Sequence, residues 1–138
     1  MAGAAKLYTP EVLALATSLA GYPFDAAMPL TGSARSASCG STLAMSLRLD
    51  AEGRIAALGL RPQACAIGQA AAAIFAGAAR GHNAQSIAHA KGQLDRWLAG
   101  EAELPDWPGM ALLTAAKDYP GRHGAIRLAW LAAGELLP

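Results

Sequence analysis

The chain has 138 residues, 54 % of them hydrophobic and 15 % charged, with a mean hydropathy of +0.26. That length supports one domain (residues 1–138) with a sizeable core, and the composition excludes a disordered chain. A formal charge of +1 leaves no broad basic surface, so no nucleic-acid partner is expected. The longest apolar stretch, Ala64 to Ala79, is interrupted by Gln69 and is too short to cross a bilayer, so no membrane partner is expected. The first twenty residues include Pro10 and Glu11 and lack a basic region followed by an apolar core, so they do not read as a signal peptide. Two cysteines without a secretory signal point to reduced thiols in the cytoplasm rather than to a disulfide framework.

Thr9 as N-cap and Pro10 at the first helical position predict a helix that runs to about Ala20 and stops at Gly21-Tyr22-Pro23. Residues 24 to 33 read as a loop leading into a weak strand over Ser33 to Ala37. Thr42 to Leu49 alternates, with Leu43, Met45, Leu47 and Leu49 on one face and Thr42, Ser46 and Arg48 on the other. Asp50-Ala51-Glu52-Gly53 supplies a turn, and Arg54 to Arg61 returns as the hairpin partner, ended by Pro62. From there the chain is helical: Cys65 to Arg80, dense in Ala and Gly, and then Ala84 to Leu98 with Ile87, Ala88, Lys91 (by its stem), Leu94, Trp97 and Leu98 on a buried face. A linker over Gly100 to Pro108, a short helix over Gly109 to Lys117 and a last helix from Arg122 to about Leu136 complete the chain. The expected fold class is α+β: a three-stranded antiparallel sheet with helices packed on one face.

The two cysteines stand at telling places. Cys39 lies in the turn Ser38-Cys39-Gly40-Ser41 just before the alternating strand, and Cys65 opens the small-residue helix. A thiol at a helix N-terminus feels the positive end of the helix dipole, which favours thiolate. The hairpin between them begins just after one and ends just before the other, so both thiols are expected at one end of the sheet. There is no phosphate loop, no Ser-His-Asp set and no paired carboxylates, and Cys65 as a nucleophile has no recognisable base; the chain does not read as an enzyme. Trp97, Trp107 and Trp130 read as packing residues, and His82 and His89 as surface residues.

Several segments together resemble the U-type iron–sulfur cluster scaffolds, the family of IscU, SufU and the N-terminal part of NifU. They are Leu7-Tyr8, Cys39-Gly40-Ser41, Leu47-Arg48-Leu49-Asp50, Ala64-Cys65-Ala66-Ile67-Gly68-Gln69-Ala70-Ala71, and Pro120-Gly121-Arg122-His123-Gly124-Ala125-Ile126-Arg127-Leu128-Ala129-Trp130. The resemblance implies a site of three Cys and one Asp, and here Ser41 stands in the Asp position and Ala125 in that of the third Cys. Cys39 and Cys65 are then the candidate ligands of an iron–sulfur cluster, such as [2Fe-2S], or of zinc, with His123 as a further candidate metal ligand beside Ala125. The resemblance further implies a cysteine desulfurase as sulfur donor and apo iron–sulfur proteins as recipients. Two thiolates per chain suggest a cluster-bridged homodimer, since such a cluster takes four protein ligands. The alternative is a paralogue that kept the fold, lost metal binding and acts as an interaction module.

Overall fold

Thr9 starts the first helix as a side-chain cap. In the computed structural model, which describes residues 7–37 and 40–138, the Val12 N–H donates to Thr9 Oγ1 at 3.2 Å, and α1 spans Pro10–Ser18. A 3-10 turn over Leu19–Gly21 closes it. Three strands follow, β1 (Leu30–Arg35), β2 (Thr42–Leu49) and β3 (Ile55–Gln63), in an antiparallel sheet of order β1-β2-β3.

The strand limits differ from the sequence reading at both outer strands. β1 starts three residues earlier, because Leu30 pairs with Leu47, and it ends at Arg35. Just beyond Arg35 the Ser36 N–H donates to the Ser41 carbonyl at 2.8 Å, carrying the same register one pair further. β3 runs through Pro62 to Gln63, opposite Leu43 and Thr42. Proline is tolerated there because β3 is an edge strand. Two residues earlier the Leu60 N–H points away from β2, donating to the Tyr22 carbonyl at 2.8 Å, so the missing N–H of Pro62 falls on the same outer side.

Leu43, Met45 and Leu47 line the inner face of β2, as the alternation predicts. Ser46, expected on the open face, is instead fully buried. The segment from Tyr22 to Asp25 crosses that face, and the Asp25 N–H donates to Ser46 Oγ at 3.1 Å. Arg61 adds its guanidinium 4.5 Å over the Phe24 ring. This strap lies on the backbone of Gly59, the residue paired with Ser46.

The helices pack on the other face. They are α2 (Ala66–Ala78), α3 (Ala84–Leu98) and α4 (His123–Leu136). On α3 the buried stripe is Ile87, Ala90, Leu94, Trp97 and Leu98, with Ala90 taking the place expected of Ala88. That stripe advances by three or four residues, whereas Ala88 turns toward solvent on the face where Lys91 and Asp95 pair at 2.9 Å. The segment Met110–Asp118 is a 3-10 helix rather than an α-helix. Its buried residues, Met110, Leu113 and Ala116, recur every third position, the period of a 3-10 turn. Phe75 anchors the aromatic centre, stacked on Trp107 at 5.4 Å and edge-on to Trp130 at 5.3 Å. Trp97, Trp107 and Trp130 are all buried.

A Cβ at position 59 would collide with the Pro23 carbonyl and stand 2.8 Å from Phe24 Cα. Both obstacles are backbone, so neither can rotate away. Gly59→Ala is therefore expected to destabilise the fold by about 1–3 kcal/mol, the usual cost of overpacking. Urea unfolding of the variant beside the parent protein measures it, and an unchanged midpoint would show that the strap is not tightly seated.

Candidate functional site

Three chain segments meet at one end of the sheet. Thr42 pairs with Arg35 on one side and Gln63 on the other, so residues 36–41 and residues 64–65 emerge from the same edge of the ladder. The turn is closed at its flanks by the Ser36–Ser41 bond and by Gly40, whose N–H donates to the Ser36 carbonyl at 3.1 Å. Gly40 has φ +72°, a conformation glycine adopts without strain. Cys39 lies outside the described residues, and the expectation that its thiol approaches that of Cys65 falls outside them too.

Cys65 occupies the N-cap of α2, with extended backbone and no side-chain capping bond, and is half-buried against the core. Gln69 secures the helix start beside it. Its N–H donates to the Cys65 carbonyl at 3.0 Å and its side-chain amide to the Ala64 carbonyl at 2.9 Å. One turn on, Gly68 shows what else is near. A Cβ there would stand 2.7 Å from the Ala64 Cβ and 3.1 Å from the Ala125 Cβ. Ala125 thus borders the start of α2. Both positions that the resemblance assigns to missing ligands are buried, Ser41 at 9 % exposure and Ala125 at 2 %.

His123 opens α4 and is half-buried. Its Nε2 lies 2.6 Å from the Lys117 carbonyl, which can only accept, so Nε2 carries a proton and the lone pair of the neutral ring is on Nδ1. A carbonyl holding one ring nitrogen while the other stays free is the usual second-shell support of a ligating histidine. Among the described residues, however, no group of three or more His, Cys, Asp or Glu side chains is placed to hold a metal ion. Zinc in a structural site takes four protein ligands. The described donors therefore do not fit a resident zinc.

Sequence reasoning missed two cations beside this end. Arg35 ends β1, and Arg127 lies one helical turn after His123; both border a cavity shared with Ser36, Ala37 and His123. The i, i+4 spacing of His123, Arg127 and Leu131 was the readable signal. Arg127 is held by Asp95, its Nε 2.6 Å from Asp95 Oδ1. Burial would raise the Asp95 carboxyl, but hydrogen bonds from Arg127 and Lys91 outweigh that and hold it below its ordinary value.

His82 was expected at the surface and is instead half-buried, its ring stacked on Trp107 at a centroid distance of 4.5 Å. Its Nδ1 lies 2.9 Å from Ser86 Oγ, a hydroxyl that also closes the Asn83 capping box of α3. The turn brings it inward because the Ile55 N–H donates to the His82 carbonyl at 2.8 Å. His89 remains exposed, as expected.

With this geometry in place, comparison with known proteins gives a consistent fold. No family model matches the chain, and no curated protein matches it by sequence. Among solved structures, a nitrogen-fixing NifU-like protein (N-terminal) from Brucella abortus superposes with a TM-score of 0.86 at 23 % identity, covering 97 % of this chain and 94 % of that one. A protein of Fervidobacterium islandicum AW-1, proposed as an iron–sulfur cluster assembly scaffold for the SUF system, gives 0.82 at 16 % identity, covering 97 % and 98 %. The chain has the fold of the U-type scaffolds. Among the described residues, no helix is long and apolar enough to cross a membrane.

Burial lowers the His82 pKa below its ordinary value of 6.5. The folded state thus favours the neutral ring, and the unfolded chain takes up the proton first as pH falls. The stability this contributes is complete above pH 6.5 and is lost as pH drops from there through the folded value. His82→Phe keeps an aromatic ring on Trp107 but cannot titrate, so its stability is expected to change less with pH below 6.5. Thermal unfolding of both proteins at stepped pH checks this; parallel profiles would remove His82 from the account.

Proposed function

We propose that this chain is an iron–sulfur cluster assembly scaffold or carrier that binds iron or a cluster through Cys39 and Cys65 and passes it to apo-proteins. The observation that carries the reading is the meeting of residues 36–37 and 40–41, the Cys65 helix start and the first turn of α4 at one end of the sheet. The U-type fold supports it. In this reading the protein acts in the cytoplasm, and a cysteine desulfurase performs the chemistry that releases sulfur. The chain itself is not an enzyme; it supplies thiolates and a shaped edge.

Two thiolates per chain fill half of a two-iron cluster, and a second protomer supplies the other two. The cluster is then cargo held between two copies, and the apo-protein is mainly monomeric. For a single iron ion within one protomer, His123 is the third donor through Nδ1.

A second reading is favoured by one specific feature. Ser41 and Ala125 are not open ligand positions filled by other donors; they are small and buried, and Ala125 packs toward Gly68 and Ala64. A chain whose site had closed in this way would be a paralogue that kept the fold as a non-metal interaction module.

Anaerobic reconstitution with ferrous iron, sulfide and reductant separates the two. The expected outcome is about one two-iron cluster per two chains, with visible absorption eluting at dimer size and lost in Cys39→Ser and in Cys65→Ser. His123→Ala should lower the iron retained by the monomer before sulfide is added. A monomer carrying a full cluster would sink the bridging arrangement. Absence of iron and cluster under all conditions would establish the interaction module instead.

A further inference from the structure

Between the end of β1 and the outer face of α4 lies a half-open cavity of about 420 Å³. Arg35 borders it from the sheet, and His123 and Arg127 from the helix; Leu128 and Leu131 give it an apolar wall, and Ser36 its rim. Among the described residues no carboxylate lines it. Asp95 lies behind Arg127 and is shared between Arg127 Nε and Lys91 Nζ. That pairing fixes the Arg127 side chain while leaving its terminal nitrogens uncommitted by any ion pair among the described residues. Arg35, likewise, has no ion pair there.

Arg35 and Arg127 line one concave surface, so their like charges repel, and low-dielectric walls concentrate their field. An anion relieves that repulsion. Guanidinium forks match carboxylates by paired hydrogen bonds, and an arginine from the sheet with one from the helix suits two carboxylates on one molecule. The cavity has the volume of a small-molecule site and combines an apolar wall with a few polar groups, as such sites do.

We propose that this cavity binds a small polycarboxylate, with separate carboxylates paired to Arg35 and Arg127. Ser36 and Ala37 on its rim belong to the connection that leads to Cys39, so the bound molecule sits beside the candidate site. Carboxylate oxygen is an iron ligand in its own right. The molecule would then bring oxygen donors to a chain that has lost two of its own, as the chelator in which iron arrives. That role rests on the proposed function; binding of the polycarboxylate does not.

Calorimetric titration of the metal-free full chain tests binding alone. Citrate is the probe, with acetate, triethyl citrate and inorganic phosphate as comparisons. Citrate should bind one-to-one and about tenfold or more tighter than acetate, with no binding of the ester, since each lost charged pair is worth on the order of 1.4 kcal/mol or more. Arg35→Gln, at an exposed position, should weaken citrate about tenfold without changing thermal stability, and Arg35→Lys should restore only part of the affinity. Arg127→Gln should weaken it similarly. Equal affinity for acetate and citrate, equal or tighter binding of phosphate, or citrate binding unchanged in Arg35→Gln would each overturn the proposal. Because no iron is present, these outcomes are independent of whether a cluster forms. If citrate binds and reconstitution fails, the anion site stands and the iron role falls.

Discussion

A helix can be buried on nearly every side only if its neighbours come close, and α2 allows this by carrying almost no side-chain bulk. Ile67, Gly68, the run Ala70 to Ala73, Ile74, Phe75 and Ala76 are all buried. Alanine and glycine let α1 and α4 settle against the helix backbone, while Ile67, Ile74 and Phe75 supply the volume that fills the remaining space. Gly68 marks a close approach, where Ala125 of α4 stands nearer than ordinary contact to the position a Cβ would take. That contact sets the position of the α4 first turn relative to Cys65. The geometry of the functional end is therefore a consequence of core packing.

This dependence constrains what positions 41 and 125 can do. Ala125 is part of the α2–α4 seam, buried beside Gly68. Ser41 is buried at the base of the turn, where its carbonyl is taken by the Ser36 N–H. A charged or larger polar group at either position would start from a buried site, and buried polar or charged groups are costly without partners.

Much of the architecture was legible because it rests on strong local signals. The Thr9-Pro10 helix start, the alternation of Thr42 to Leu49, the Asp50–Gly53 turn and the Asn83 break each state their own structure. Asp50 even closes its turn as expected, its carboxylate accepting from the Glu52 and Arg54 N–H groups at 2.9 Å. What misled was tertiary. Ser46 looks solvent-facing until residues 22–25 cross over it, and His82 looks like a turn residue until Trp107 arrives from the linker. Pro62 looks like a strand stop, but it sits where an edge strand needs no donor. At the site, the cysteine motifs gave the helix start and the sheet end; the pairing of Arg35 with Arg127 across a cavity joins residues 92 positions apart and left no local pattern.

The electrostatics at this end follow from the same packing. Docking α3 against α4 places Asp95 beside Arg127, and the carboxylate is charged because two cations share it. One carboxylate divided between Lys91 and Arg127 cannot also neutralise Arg35, which reaches the cavity from a different layer of the fold. The result is a local excess of positive charge on a chain whose formal charge is only +1. A cation-lined cavity repels bare cations and attracts anions. The residues around the cavity therefore favour an anionic ligand, and they do so because Asp95 is already committed to Lys91 and Arg127.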